Sequence, residues 1–523
     1  MPCGAAGRGS DGRVTVEFVV DGRHVSVEAD GASLLEALRD RLGVRGPKDG
    51  CSPQGQCGCC TVWVDGQPRV ACVTPVARVA GRTVTTVDGL AEAPQWAERL
   101  CASGGSQCGF CTPGIIMRLA ALEPARRTDD GVRHALLAHL CRCTGWQTVV
   151  DAALEPPLAE ATPTAGRDLA AAAARATLEG GSPQQVGPAV ALGRGGFAAD
   201  DAPADALVAM PTADGTWVVA DTLTEARRAA GKVQGRRTTE SLTWPIEVPE
   251  GDWVRTLQTT WVEPGYLEPD AAWCAPGGKP VLSLTNGGAF GGKAGGATAQ
   301  VAAAARRLAD EHGRPVVAQY SREDVVRRGP KRPPLAAGIR ADGTGVVRVA
   351  RTEGIAAAIH AVAPGLVVEE VDVAGPPTSV SLRAAGWAEA AILLAPGDGW
   401  VTAPNGATAR AEIGEDGRVG VTVRCGQVLD ATVLRSYCIG ATHMALGWVR
   451  SEGLAVDADG VPLDLTIRSF GILRAVDTPA IHVEMEDGDG PPVNGSDAVF
   501  AAVALAAWRA AGFPPRWPTM RAV

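Results

Sequence analysis

The sequence predicts an α+β multidomain chain: a small sheet grasping one helix, then a helical domain, then a long mixed α/β region. Three observations predict it. Two hairpin patterns bracket a single capped helix near the amino terminus. The apolar period turns helical from Leu90 to Leu154. Past residue 190, short strand-like and helical runs alternate.

Val14, Val16, Phe18 and Val20 alternate with polar residues, Asp21-Gly22 supplies a turn, and Val25 and Val27 resume the alternation, which spells a hairpin. A helix follows over 33–42, where Ser33 and Glu36 make a capping box, Leu34, Leu35 and Leu38 form the apolar face, and Gly43 ends it. Residues 61–64, Asp65-Gly66 and 70–73 read as a second hairpin. Helices are expected over 113–122, 129–140 and 147–154, until Pro156 and Pro157 break the pattern. Residues 158–190, rich in Ala, Pro, Gly and Thr, read as a linker with one short Ala-rich helix. Strand-like runs at 281–284, 346–350 and 419–423 then alternate with helical runs at 299–309 and 499–511.

Apolar residues make up 46% of the 523, enough to build cores rather than a disordered tail. A net charge of −9 argues against nucleic-acid binding, which needs a basic face. No apolar run approaches the ~20 residues of a membrane span, and residues 1–11 lack the apolar stretch of a signal peptide. The expectation is a soluble cytoplasmic protein.

Of 14 cysteines, most precede residue 150, a density that in the cytosol points to metal rather than disulfides. One set is Cys51-x5-Cys57-x2-Cys60-x11-Cys72, and a second is Cys108-x2-Cys111 with Cys141-x-Cys143. Each supplies four thiolates, the number a [2Fe–2S] cluster needs. Gly50, Gly55, Gly58 and Gly109 let the backbone approach the sulfurs, where N–H groups offset cluster charge. The alternative is two zinc sites. Zinc favours paired Cys-x2-Cys knuckles, whereas the first set puts three thiolates in one loop and the second ends in Cys-x-Cys. Cys3, Cys59, Cys101, Cys274, Cys425 and Cys438 fall outside the ligand spacing and read as packed bystanders.

At residues 48–62, Lys-Asp-Gly-Cys-Ser-Pro-Gln-Gly-Gln-Cys-Gly-Cys-Cys-Thr-Val resembles the plant-type ferredoxin loop of the molybdenum hydroxylases, the family of xanthine dehydrogenase, aldehyde oxidoreductase and carbon monoxide dehydrogenase. Gln107-Cys-Gly-Phe-Cys-Thr-Pro-Gly114 and Cys141-Arg-Cys-Thr-Gly-Trp146 resemble that family's helical cluster domain. The resemblance implies a β-grasp ferredoxin-like [2Fe–2S] domain over 12–89 and a helical [2Fe–2S] domain over 90–157. It also implies that Gln107 and Cys143 approach a molybdopterin cofactor.

A weaker resemblance continues. Asn286-Gly-Gly-Ala-Phe-Gly-Gly-Lys293 is similar to the large subunit's glycine loop beside molybdenum, implying cofactor contacts from Gly287, Gly288, Phe290 and Gly291. Tyr266-Leu-Glu-Pro269, Ser321-Arg-Glu-Asp324 and Leu382-Arg-Ala-Ala-Gly386 are similar to further large-subunit segments, the last implying that Arg383 faces substrate. Residues 191–260 then correspond to a remnant of the large subunit's first domain, and 261–523 to a shortened molybdopterin-binding region. The family's flavin module is not visible, so a separate FAD subunit or other electron acceptor is implied.

The departures bear on chemistry. The first loop has one residue more than the family pattern, which is expected to bulge outward. About thirty residues that precede the glycine loop in the family are missing. Gly490 stands where the family places its catalytic Glu, and Asp487 and Asp489 read as solvated turn acids, His482 as structural. No catalytic residue is assigned. Two readings follow: an iron–sulfur oxidoreductase passing electrons between a molybdopterin site, with its small-molecule substrate, and an external acceptor; or a non-catalytic electron-transfer or assembly subunit whose C-terminal region docks a full-length partner.

Overall fold

The computed structural model describes residues 7–8, 14–155, 164, 166–232, 240–395, 397 and 399–520. Cys3 and part of the 158–190 segment lie outside these residues.

The amino-terminal hairpin forms as its alternation dictates. Val14–Val20 pairs antiparallel with Arg23–Glu28 across Asp21-Gly22, in the register Phe18↔Val25, so Val16, Phe18 and Val20 all point into the core. Thr83–Thr85 pairs parallel with the first strand and antiparallel with Thr61–Val64, joining both hairpins into one sheet. The second hairpin is shorter than its sequence pattern, since Thr61–Val64 pairs with Gln67–Val70. Ala71–Val73 leaves the ladder as a 3₁₀ turn that points Cys72 inward.

The grasped helix differs from the expected one. Only Leu34–Glu36 is α-helical, and Ala37–Arg41 is a π-helical turn. Ser33 Oγ accepts from the Glu36 amide at 3.2 Å, but Glu36 does not complete the capping box. Its carboxylate instead accepts from the amide and hydroxyl of Thr224, far along the chain. A tertiary partner has taken the local cap.

Helices Thr112–Ala120, Asp129–Ala135 and Gln147–Leu154 follow their patterns, and Leu136–Ala138 tightens into a 3₁₀ turn. Ala93–Ser103 precedes them, buries Trp96 and Leu100, and stops at Gly104 with φ +77°. Within the segment read as a linker stands the helix Leu169–Gly180, capped by Asp168 and burying Arg175 and Glu179 completely.

The rest carries three further sheets. Five strands run in the order Val281–Leu282, Ala271–Cys274, Val316–Gln319, Leu207–Pro211, Trp217–Ala220, with the helix Gly296–His312 packed on that sheet. The other two have four strands each. The long helices Ala431–Arg450 and Ser496–Ala510 lock together through Trp448, whose ring stacks on Phe500 at 5.1 Å. One apolar core runs unbroken from Phe18 through Trp146 to Trp508, so both cysteine domains are packed into the body of the protein rather than tethered to it. Among the described residues no helix is long and apolar enough to cross a membrane.

Candidate functional site: two cysteine clusters against a closed interior

The first set gathers. Cys51 lies within hydrogen-bonding reach of Cys57 and Cys72, and Cys72 reaches Cys60, so four buried sulfurs form an open ring. Bonding from Cys57 and Cys72 holds the Cys51 thiol well below its ordinary range. Backbone amides point at the sulfurs, from Gln54 to Cys51 at 3.1 Å and from Cys72 to Cys60 at 3.4 Å, which is how protein offsets cluster charge. The extra loop residue does not bulge freely. Ser52 takes φ +45°, and the Gln54 side chain is pinned to Leu465 O at 2.7 Å and the Ile467 amide at 3.2 Å.

The second set gathers likewise. Cys141 reaches Cys111 and Cys143, and Cys143 Sγ lies 3.6 Å from Cys108 Sγ. Cys111 and Cys143 hold Cys141 well below its ordinary range. Among the described residues no three His, Cys, Asp or Glu side chains close on a single-ion point.

The two rings touch through backbone. The Leu140 amide, next to Cys141, donates to Cys57 O at 3.0 Å. A Cβ on Gly114 would fall 2.2 Å from Gly58 O, so only glycine permits this approach. The buried His139 ring sits over Gly58 with Nε2 3.2 Å from Gly114 O and 3.3 Å from Thr61 Oγ1, stapling the two domains; burial pushes it down to about 4. A lone His beside cysteines gave no signal of this role in the sequence.

The C-terminal motifs converge around these rings. Lys293 of the glycine loop pairs with Glu268 at 2.6 Å. Arg322 donates to Leu267 O at 2.9 Å and to Gly50 O at 2.5 Å, tying two large-subunit-like segments to the first cysteine loop. A Cβ on Gly288, at φ +89°, would lie 3.1 Å from Cys143 Sγ, so the glycine loop rests directly on the second ring. Arg142, between Cys141 and Cys143, is clamped by both oxygens of Glu452, a pairing that sequence spacing could not reveal.

The cofactor-facing residues are brought together too, but not around a cavity. Arg383 lies 3.9 Å over the Phe290 ring, pairs with Asp497 at 3.0 Å and donates to Ser496 Oγ at 3.0 Å. The space it borders with Phe290, Met444, Trp448 and Phe500 is about 30 Å³. Gln107 donates to Cys143 O at 3.0 Å and Ser436 Oγ at 2.9 Å, beside a void of about 10 Å³. Larger depressions, about 510 and 530 Å³, border none of Gln107, Gly288, Phe290 or Arg383. Ligand pockets run to roughly 300–1,000 Å³, and neither void beside these residues reaches that size. The Glu179 carboxylate closes the site from another side, accepting from Arg175 at 2.5 Å and from the amides of Gly495 and Ser496 at 3.0 and 2.8 Å. Asp487 and Asp489 are exposed, with Asp487 capping the Val428 amide at 3.0 Å, and His482 is an exposed strand residue.

Residues 86–154 match the family model described as [2Fe-2S] binding domain. The nicotine 6-hydroxylase small subunit of Paenarthrobacter nicotinovorans is 37% identical over 150 residues, covering 28% of this chain and 90% of that protein. The xanthine dehydrogenase iron–sulfur-binding subunit of Escherichia coli is 36% identical over 27% of this chain and 93% of its own length. The chain belongs to the molybdenum hydroxylase family. Against its large relatives this family member matches only a part: it spans 11% of the xanthine dehydrogenase of Emericella nidulans, at 38% identity. In fold it is similar throughout to the aldehyde oxidoreductase of Desulfovibrio gigas, with a TM-score of 0.65 at 16% identity, covering 94% of this chain and 97% of that one. The similarity to aldehyde oxidoreductase therefore extends in fold far beyond the stretch that sequence identity reaches.

Proposed function

We propose that the chain is a two-cluster electron carrier, binding one [2Fe–2S] cluster at Cys51, Cys57, Cys60 and Cys72 and another at Cys108, Cys111, Cys141 and Cys143. Its C-terminal region is a scaffold that docks a larger redox partner rather than a hydroxylase in its own right. One observation carries the choice: Arg383, the residue the resemblance aims at substrate, is locked to Asp497 and Ser496 in an interior with about 30 Å³ left open. The relatives matched over most of their length are named as subunits, which supports work within an assembly. Electrons pass between the rings across the Leu140–Cys57 contact and leave to a flavoprotein subunit or other acceptor.

A hydroxylase reading draws on one feature, the Gln107 Oε1 atom, which is buried without a hydrogen-bond partner among the described residues. Metal analysis separates the two. Full chain purified from a host that makes molybdopterin should hold about four irons and no molybdenum. Stoichiometric molybdenum would overturn the carrier reading.

A further inference from the structure

Arg322 is a buried charge without a counter-charge. The residue is wholly enclosed, at the start of the helix Arg322–Arg328 that Ser321 and Asp324 fix with a capping box. Its Nη2 donates to two neutral carbonyls, Gly50 O and Leu267 O. Nε and Nη1 are buried with no hydrogen-bond partner among the described residues. The carboxylates of this interior are engaged elsewhere. Glu263 pairs with Lys331 at 2.9 Å, and Asp270 accepts from the hydroxyls of Tyr266 at 2.5 Å and Thr298 at 2.6 Å. Asp49, beside Gly50, pairs with Arg227 at 2.7 Å. The Tyr266 ring, 5.9 Å away, offers a π face and no charge. A guanidinium keeps its proton inside a protein, so burial does not neutralise it. Taking such a charge out of water is costly unless an anion meets it.

Its position says what the anion is. Gly50 adjoins Cys51, and a Cβ on Gly50 would lie 3.1 Å from Cys57 Sγ and 3.3 Å from Leu267 O, so both carbonyls that hold Nη2 border the first ring. Four thiolates on two irons and two sulfides carry about two negative charges when oxidised, and about three once the reductant has added one electron. We propose that the Arg322 guanidinium is the buried counter-charge of the first cluster, a positioning residue that raises that cluster's reduction potential relative to its neighbour's. The added electron meets a cation already in place, and that favours the reduced form. The cation at the second ring, Arg142, is cancelled by both oxygens of Glu452, so the effect falls on the first cluster alone. The proposal rests on the two-cluster reading above.

The test is an EPR redox titration of the full chain with Arg322→Met, which fills the space without the charge, and Arg322→Lys, which keeps the charge without the planar fork. In Arg322→Met the first cluster should titrate lower by about 59 mV, a tenfold fall in its reduced-to-oxidised ratio at fixed potential, while the second stays unmoved. Arg322→Lys should restore most of the shift, which a purely structural role would not do. Loss of the first signal in Arg322→Met but not in Arg322→Lys also supports the proposal, because the cluster then needs the charge to assemble. An unmoved first potential in Arg322→Met, equal shifts in both variants, or loss of the first signal in both would overturn it and leave the carrier reading standing. If Arg322→Met does not fold, hydrogen exchange on the native chain decides: stripping the iron should open the amides of 322–328, and unchanged exchange there overturns the proposal. Native protein with no cluster signal would end both the proposal and the reading beneath it.

Discussion

Arg142 and Glu452 form a two-pronged ion pair at 2.5 and 2.7 Å, with 4% and 1% of their side chains exposed, and it grips the short loop that carries Cys141 and Cys143. A third bond from Arg142 Nε to Pro264 O at 2.9 Å completes the guanidinium's partners. Breaking one side of a buried pair strands the other charge, at a cost of about 3–5 kcal/mol. Glu452→Ala should therefore lower the thermal midpoint sharply, and on warming the second cluster's EPR signal should vanish before the first's. Simultaneous loss of both signals would show that the pair stabilises the whole body and not this loop.

The cysteine assignment divides the spectrum. Cys57→Ala should abolish one EPR signal and Cys111→Ala the other, each leaving its neighbour intact. If either variant kept both signals, the ligand sets would be wrong.

Glu179 anchors a helix that composition alone would class as a linker. It accepts from buried Arg175 and from two amides at the start of Ser496–Ala510. Glu179→Ala should cost about 3–5 kcal/mol for the stranded guanidinium and the orphaned amides, measured by urea unfolding followed at the tryptophans. A loss under about 0.5 kcal/mol, the range of ordinary surface substitutions, would mean the segment is tethered and not packed.

His443 titrates against the fold. It is buried on Ala431–Arg450 with Nε2 3.0 Å from Leu473 O, and burial, helped by Arg142, pushes it down to about 4. The unfolded chain binds this proton first, near an ordinary pKa of about 6.5. Stability is thus fully present above about 6.5 and lost as pH falls toward 4, by about 1.4 kcal/mol per pH unit. Comparing native protein with His443→Gln between pH 7 and 5 should show the native chain losing more. Parallel curves would contradict a neutral His443.

How much of this was legible in the sequence depends on distance along the chain. Phe18 and Val25, and the Asp21-Gly22 turn between them, are local, and the structure follows them. Glu36 failed as a capping-box residue because Thr224, 188 positions away, competes for its carboxylate. An Ala-rich stretch reads alike whether it is a loose linker or a buried helix, and Arg175 and Glu179 decide between them only through partners such as Ser496. Arg383 was visible as a motif residue, yet its ion pair with Asp497 is set by how the turn before Trp387–Leu394 meets the helix Ser496–Ala510. The glycine loop was legible as a loop, but its direct contact with Cys143 was not, since the resemblance implied only that each approaches a cofactor.

The most direct test is spin counting. Full chain, reconstituted anaerobically with iron and sulfide and then reduced, should give two distinct S = 1/2 signals that integrate to about two spins per chain. A colourless, iron-free protein, or a single signal of one spin, would contradict eight sulfurs gathered in two rings.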